Sequence, residues 1–333
     1  MATIAVLLPF TTETTLLQLA IESILQQTYR DFKLLLIDNA GNADSLTLVN
    51  KFVEVDSRCL LLHEDRPGIA FALNRGLEEC VGPFVARMDA DDIAMPERLL
   101  KQLEYLQQHS EVGAVSCQTS VYPVNESNTG IIEFVQWQNN ILSAEDHYLN
   151  RFIESPVAHP TLLMRRSLFN AYGHYSTDPI PEDYELWLRW MKQDVAIAKL
   201  PEILLHWRDS TDRLTRTHHH YQEDRFFEAK TAYLLDWMSK HVPENHRIVV
   251  CGGSKNIREK AHRLAKAGLK ISLITDVTNR NTSPWDFIPA DRLYNDGQTF
   301  VLNLISKRDA REPIRSFLKA IGFVEGISFI MAG

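Results

Sequence analysis

Three carboxylates stand within four residues of the chain, at Asp89, Asp91 and Asp92. They follow the apolar run 83–88, which is typical of a buried strand. Ionised carboxylates this close repel one another, so a cation between them would stabilise the group. Oxygen ligands on a loop suit Mg²⁺ or Mn²⁺, which keep bound waters and complete their shell with substrate phosphates. The spacing therefore indicates a divalent-metal site.

The same acidic cluster has a structural alternative. Aspartate is common just before a helix, and Pro96, close behind the cluster, is typical of a first helical turn. On spacing alone, a solvated helix start and a metal site stay equally open.

The first 120 residues alternate apolar runs with helical periodicity. Predicted strands cover 4–8, 33–37, 59–63 and 83–88, and predicted helices cover 16–27, 45–55, 69–80 and 96–108. Continuous apolar strands between helices predict an α/β fold with a parallel sheet covered on both faces. Ligands bind beyond the carboxyl ends of such strands, which is where Asp38, Asp65 and Asp89 stand.

The rest of the chain divides into an irregular region and a second α/β pattern. Between residues 121 and 181 few periods are clear, and we expect a mixed region with an antiparallel piece. Helical spacing returns over 182–191 and again over 221–240. After Pro243, a strand, a helix and a strand are predicted at 247–251, 255–267 and 270–274. Residues 244–333 are therefore expected to form a separate small unit.

Composition excludes several classes of protein. With 333 residues, 45% hydrophobic and 23% charged, the chain is typical of a globular protein of about two domains. A net charge of −8 and a pI near 5.8 argue against nucleic acid as a partner. Four dispersed cysteines without a Cys-x-x-Cys pair predict neither zinc nor disulfides. With neither a transmembrane segment nor a signal peptide expected, we predict a cytoplasmic protein, with peripheral binding at the inner membrane face left open.

Several stretches of the chain form a series that resembles a known family. They are AIESILQQTY at 20–29, GIA at 68–70, LNRG at 73–76, ARMDADDIA at 86–94, HPT at 159–161, EDYELWLR at 182–189 and WRDSTDRLTRT at 207–217. In this order they resemble glycosyltransferase family 2, the nucleotide-sugar enzymes of the GT-A fold. The resemblance covers about residues 3 to 217.

The resemblance implies a reaction and roles for three acids. It implies transfer of a sugar from a nucleoside diphosphate donor to an acceptor hydroxyl, with inversion, as in most of the family, and with Mn²⁺ or Mg²⁺. Asp91 is then the metal ligand, and Asp89 holds the donor ribose or shares the metal. Asp183 matches the family's general base, which takes the acceptor proton. From helix statistics alone, Asp183 is more readily an acidic residue of a first turn.

The donor-binding residues are also implied by resemblance. Pro9, Glu13 and Asp38 would line the nucleobase. Asn74 and Arg66 would approach the diphosphate or base, or else stabilise the turn at Gly68. The sequence departs from the family at Thr11, Thr12, Asn39 and Ser210.

Arginines after residue 207 could clamp the diphosphate, because a guanidinium matches phosphate bidentately. Arg208 is the residue we select for this role, on a segment that the resemblance identifies as a mobile lid. The neighbouring run His218–His220 receives no role, because consecutive side chains point in different directions.

The turn after residue 250 imitates a dinucleotide-binding motif. Gly253 follows a predicted strand, and Asp276 ends the next one. The positions of the first and third glycines of that motif hold Cys251 and Asn256. We therefore expect a Rossmann-like unit without nicotinamide chemistry, which binds a partner, an acceptor or another protomer.

These observations lead to one interpretation with named alternatives. Residues 1–240 are predicted to form a GT-A transferase domain, with a nucleotide-binding half (1–120) and an acceptor half (121–240), and residues 244–333 form the Rossmann-like domain. Its acceptor would be a saccharide or lipid-linked saccharide, in surface polysaccharide or lipopolysaccharide synthesis. The alternatives are a nucleotide-sugar hydrolase or nucleotidyltransferase, a dinucleotide-binding protein and a scaffold. Homo-oligomer formation stays open.

Overall fold

The computed structural model describes residues 2–11, 14–124, 128–209, 218–278 and 284–333. Within these ranges the chain forms two compact units. The first contains residues 1–147 and 156–225, and the second contains 148–155 and 226–333. The predicted boundary between the domains, near residue 240, stays a prediction. The second unit as observed includes residues on both sides of that boundary.

The first unit is built on an eight-stranded sheet. Its strands are β1 (Ile4–Phe10), β2 (Phe32–Asp38), β3 (Cys59–His63), β4 (Phe84–Arg87), β5 (Ile93–Ala94), β6 (Val112–Tyr122), β7 (Leu163–Arg165) and β8 (Ala196–Arg208), in the order β3-β2-β1-β4-β7-β6-β8-β5. Strands β1 to β4 pair in parallel, while β7 is antiparallel to both β4 and β6. The expected antiparallel piece is therefore present.

Helices connect these strands. They are α1 (Thr14–Leu25), α2 (Ala43–Val55), α3 (Ile69–Glu78), α4 (Arg98–Gln108), α5 (Thr129–Asn139), α6 (Ala144–Asn150), α7 (Ser167–Tyr172) and α8 (Glu182–Lys192), with 3₁₀ turns at His159–Thr161 and His219–Tyr221. The core lies between sheet and helices, since β1 and β2 are apolar and almost wholly buried. Gly76 lets α3 approach the sheet, because a Cβ there would lie 2.8 Å from the Leu7 side chain.

Two long strands were not predicted from the sequence. Strand β6 contains several small polar residues, and β8 is interrupted by Pro201 and Glu202 near a register shift. Neither has a continuous apolar run, so neither has the signature of a buried parallel strand. The two strands nevertheless pair in parallel from Val112 to Tyr122.

The second unit contains a five-stranded parallel sheet. Its elements are α9 (Glu223–His241), β9 (Arg247–Cys251), α10 (Lys255–Lys266), β10 (Ile271–Asp276), β11 (Asp286–Pro289), β12 (Thr299–Asn303), α11 (Arg308–Ala320) and β13 (Phe329–Met331), with a 3₁₀ turn at Ala290–Arg292. The strand order is β11-β10-β9-β12-β13. The chain first adds strands on one side of β9 and then on its other side, as in doubly wound sheets. This confirms the predicted second α/β sheet.

Residues 148–155 are held in the second unit by buried cations. The Lys230 ammonium, 4% exposed, donates to the carbonyl oxygens of Phe152 (2.7 Å), Ile153 (3.3 Å) and Ala332 (2.8 Å). Glu154 pairs with two arginines of α11, Arg308 at 3.1 Å and Arg311. A segment between two parts of the first unit thus completes the second one.

Replacing Lys230 with methionine should destabilise the second unit. The change removes one buried donor from three carbonyl oxygens, which should lower the free energy of unfolding by about 2–4 kcal/mol. The matched control is Lys240→Met, whose ammonium pairs with Asp236 at the surface and is 57% exposed. Its effect should stay below about 1 kcal/mol. Urea denaturation measures both, and equal losses would contradict a structural role for Lys230.

Candidate functional site

The predicted acidic cluster is assembled at the carboxyl end of β4. Asp89, Asp91 and Asp92 each offer a carboxylate oxygen, and these oxygens lie within 4.8 Å of one another. The side chain of Asp89 is 29% exposed, so a ligand can reach it. Hard oxygen donors at this separation fit a divalent cation such as Mg²⁺ or Mn²⁺.

Two buried arginines position the acidic loop. Arg87, with 1% of its side chain exposed, forms an ion pair with Asp89. Arg98 is fully buried and donates from Nη2 to the carbonyl oxygen of Arg87 at 2.6 Å. Burial lowers the pKa of Arg98 to about 10, which leaves it charged at neutral pH. The end of β4 is therefore held by an ion pair of the Arg87 side chain and by a hydrogen bond to the Arg87 backbone.

Strand β8 holds the other end of the loop. The backbone N–H of Arg208 donates to Oδ1 of Asp92 at 2.8 Å. Nη1 of Arg208 is buried and has no hydrogen-bond partner among the described residues. Arg208 and Asp91 also line a cavity of about 180 Å³, together with Leu16, Leu19, Ile93, Tyr122, Pro123 and His206. Arg208 and Asp91 thus bring residues of opposite charge to one cavity.

A pair of acids begins helix α8. Glu182 is 5% exposed, and Asp183 is only partly buried. Burial raises the pKa of Asp183 to about 6, against the hydrogen bond that its Oδ1 accepts from the Tyr184 N–H at 2.6 Å. Burial and the nearby charge of Asp183 raise the pKa of Glu182 to about 8. The electrostatic neighbours of Asp183 include Arg87 and Asp89, so the acid pair lies within reach of the charges beside the acidic cluster.

Three residues that contact the acid pair or one another, His159, Tyr175 and Tyr221, were not selected from the sequence; the first two are buried and Tyr221 is partly buried. Tyr221 donates from its hydroxyl to Oε2 of Glu182 at 2.7 Å. Nε2 of His159 lies 2.9 Å from the Tyr175 hydroxyl, and Nδ1 of His159 lies 3.9 Å from Oε1 of Glu182. The HPT stretch was noted only for its resemblance, and neither tyrosine stands in a motif. Their role depends on contacts between distant parts of the chain.

Asn74 contacts the backbone of this same group. Its amide nitrogen donates to the Tyr175 carbonyl at 2.9 Å, and its amide oxygen accepts from the Tyr175 N–H at 3.0 Å. The structure thus gives Asn74 a positioning contact, while its predicted donor contact stays a prediction.

The predicted nucleobase residues lie along the ends of β1 and β2. Asp38 ends β2 and pairs in register with Phe10, next to Pro9. Its carboxylate accepts from the Gly41 N–H at 2.6 Å and lies 2.9 Å from Nδ1 of His63. Pro9, Asp38 and Asp89 are therefore at the same edge of the sheet, as expected for parallel strands.

Asn39 explains one departure from the family pattern. Its amide donates to the carbonyl oxygens of Glu64 (3.0 Å) and Arg66 (2.8 Å) and accepts from the Gly68 N–H at 2.9 Å. Gly68 has a φ of 127°, which a side chain would strain. An amide can both donate and accept here, whereas an ionised acid can only accept. Arg66 pairs with Glu64 at 2.7 Å.

The remaining predicted positions give a mixed outcome. Glu13, Thr12 and Ser210 lie outside the described residues, as do 211–217 of the predicted lid. The ring nitrogens of His218, His219 and His220 come within 4.8 Å of one another. This proximity was not expected for three consecutive side chains.

In the second unit, the glycine turn is engaged by the chain itself. The Gly253 N–H donates to Oδ2 of Asp276 at 2.7 Å. An amide that a bound phosphate would need is therefore already paired with a carboxylate.

The amino-acid sequence is similar to those of known proteins. Residues 5–173 match the model of Glycosyl transferase family 2. The O-antigen biosynthesis glycosyltransferase WbnJ of Escherichia coli is 32% identical over 193 residues, which span 57% of this chain and 73% of that protein. None of the helices in the described ranges has the length and apolar character of a membrane span.

Two solved structures are similar in fold. S. aureus TarS 1-349 in complex with UDP-GlcNAc has a TM-score of 0.57 at 13% identity, covering 79% of this chain and 71% of that one. The mannosyltransferase PcManGT from Pyrobaculum calidifontis, in complex with GDP-Man and Mn²⁺, has a TM-score of 0.52 at 18% identity, covering 79% and 70%. The predicted GT-A fold is confirmed.

Removing the charge of Asp91 should abolish metal binding at the acidic cluster. We expect Mn²⁺ to raise the melting temperature of the parent protein but not of Asp91→Asn, because one anionic ligand is lost. The control is Asp194→Asn, an exposed residue just beyond the other end of α8. An undiminished Mn²⁺-dependent shift in Asp91→Asn would contradict the site.

Proposed function

Because the chain belongs to Glycosyl transferase family 2, we propose that it transfers a sugar from a nucleoside diphosphate to an acceptor hydroxyl. The observation that carries this proposal is the placement of Asp183 in the electrostatic field of Arg87 and Asp89. A base for the acceptor and a metal-capable cluster for the donor thereby share one site. Nucleotidyl transfer would need the cluster but gives no such role to Asp183, whereas a hydrolase could use Asp183 to activate water, so the release of nucleotide with and without an acceptor decides between hydrolysis and transfer.

The donor would bind along the sheet edge formed by β1, β2 and β4. Asp91 and Asp89 would hold a divalent cation, which offsets the charge that develops on a departing diphosphate. Arg208 would contact the diphosphate, since its Nη1 is buried without a partner among the described residues. Pro9 and Asp38 would line the nucleobase, with Glu13 and Asn74 as further predicted contacts.

Asp183 is the proposed general base. With a pKa raised to about 6 by burial, its carboxyl is mostly ionised at neutral pH and still basic enough to accept a proton. As the acceptor oxygen bonds to the anomeric carbon, the bond from that carbon to the diphosphate oxygen breaks. The acceptor proton passes to Asp183. One displacement of this kind inverts the anomeric configuration.

We propose a setting in surface polysaccharide or lipopolysaccharide synthesis, with a saccharide or lipid-linked saccharide as acceptor. The support is the similarity to an O-antigen biosynthesis glycosyltransferase. The proposed location is cytoplasmic. Residues 1–240 would carry out the transfer. For residues 244–333 we propose no dinucleotide chemistry, because Asp276 engages the amide of Gly253.

Replacing Asp183 with asparagine should separate donor binding from transfer. A panel of nucleotide sugars with Mn²⁺, read by thermal shift, identifies the donor, and release of the nucleotide with an acceptor measures transfer. Loss of the base should lower kcat by about 10²- to 10⁴-fold. The donor-induced shift should remain.

The control for this experiment is again Asp194→Asn, which should transfer at the parent rate. Full transfer by Asp183→Asn would reject its role as base. Equal nucleotide release by the parent protein with and without an acceptor would indicate a hydrolase instead.

A further inference from the structure

The two acids at the start of α8 differ in access to solvent. Glu182 is 5% exposed and lies beneath Asp183, which is only partly buried. Two adjacent carboxyl groups in such surroundings do not ionise independently, because each negative charge opposes the other. One of them must keep a proton over part of the pH range. The geometry indicates which one.

Each oxygen of Glu182 faces a neutral group. Oε2 accepts from the Tyr221 hydroxyl at 2.7 Å, and Oε1 lies 3.9 Å from Nδ1 of His159. Burial holds the pKa of His159 well below its usual value, so its ring is neutral. Burial also raises the pKa of both Tyr175 and Tyr221, so neither phenol ionises near neutral pH.

The charged groups that face Glu182 come from two directions. Asp183 stands beside it on α8, and Arg87 faces it from β4, where Arg87 is already paired with Asp89. Arg87 also interacts with Asp183. Arg87 therefore serves several acids at once, and its one charge cannot balance both members of the pair as well as Asp89.

The network has a place for a proton on Glu182. If Nε2 of His159 donates to the Tyr175 hydroxyl at 2.9 Å, then Nδ1 is an acceptor that faces Oε1 of Glu182. At 3.9 Å this contact is longer than a direct hydrogen bond, but a proton on Oε1 would face a neutral acceptor there, while Oε2 still accepts from Tyr221. Asp183 instead has a donor as its neighbour, since its Oδ1 accepts the backbone N–H of Tyr184 at 2.6 Å.

We propose that Glu182 is a positioning residue, which keeps the proton of the acid pair and is oriented by Tyr221, so that Asp183 alone is ionised and faces the acceptor. The inference rests on the proposed function, because it takes Asp183 as the base. It assigns Glu182 to the neutral state during transfer.

Glu182→Gln tests this assignment, because glutamine reproduces a neutral carboxyl in size and shape. We expect kcat within about threefold of the parent at pH 7, whereas Glu182→Ala should lose at least about 100-fold. In the pH profile of kcat, Glu182→Gln should keep the fall in activity at acidic pH, which reports protonation of Asp183. It should lose the change near pH 8 that ionisation of Glu182 causes in the parent. A 100-fold loss in Glu182→Gln would overturn the proposal, because it would show that the carboxylate itself is required.

Tyr221→Phe gives a second test, in which the alkaline change in the pH profile should move rather than disappear. The Tyr221 hydrogen bond lowers the pKa of Glu182, so its removal should move the alkaline change to higher pH. We also expect kcat to fall by about 3- to 10-fold, with KM for the donor unchanged. The control is Tyr172→Phe, which lies outside this network. An alkaline change that does not move in Tyr221→Phe would contradict the orienting contact.

Infrared spectroscopy of the protein without substrate separates this proposal from the proposed function. The difference spectrum between parent and Glu182→Gln at pH 7 should contain the carbonyl stretch of a protonated carboxyl, and this band should disappear as the pH passes about 8. If the difference spectrum at pH 7 contains a carboxylate band instead, the inference is overturned, whatever the transfer activity of the variant. If the protonated band is present but no transfer is found, the neutral Glu182 stands and the proposed function fails.

Discussion

Arg87 carries a positive charge with 1% of its side chain exposed, and burying such a charge is costly unless it is paired and hydrogen-bonded. Asp89 supplies the direct partner, and Asp92 and Asp183 contribute through space. The arrangement couples the acidic cluster to the acid pair, although 91 residues of sequence separate Asp92 from Asp183. Any cation bound by Asp89 would compete with Arg87 for the same carboxylate. The charge of the Arg87 guanidinium thus links Asp89, at the proposed donor site, with Asp183, the proposed base for the acceptor.

The sequence predicted those parts of the site that local patterns encode. The alternation of apolar runs and helical periods up to residue 108 corresponds to β1 through α4, because buried parallel strands are apolar on both faces. The acidic cluster was also recognisable, since three carboxylates after a strand are conspicuous. By contrast, β8 was missed because Pro201 and Glu202 interrupt its pattern.

Residues that act through distant contacts had no local signal. Tyr221 reaches Glu182 across 39 positions, and Asn74 reaches Tyr175 across 101. A tyrosine or asparagine has the same letter whether it contacts a ligand or supports a backbone, so its neighbours must be known first. Asn39 shows the same limit: its difference from the family pattern becomes intelligible only with the three backbone groups that it bonds.

The segment Tyr148–Ser155 gives the second unit an unusual dependence. Its carbonyl groups and Glu154 are bound by Lys230 and by arginines of α11, so residues 226–333 contain only part of what they need to fold. The two units therefore could not be exchanged between related proteins as independent cassettes. A recombination event placed near residue 240 would transfer Arg308 and Arg311 without Glu154 and would separate Lys230 from the Ala332 carbonyl. Natural shuffling of this unit would have to begin before Lys230 and carry eight residues from the middle of its neighbour.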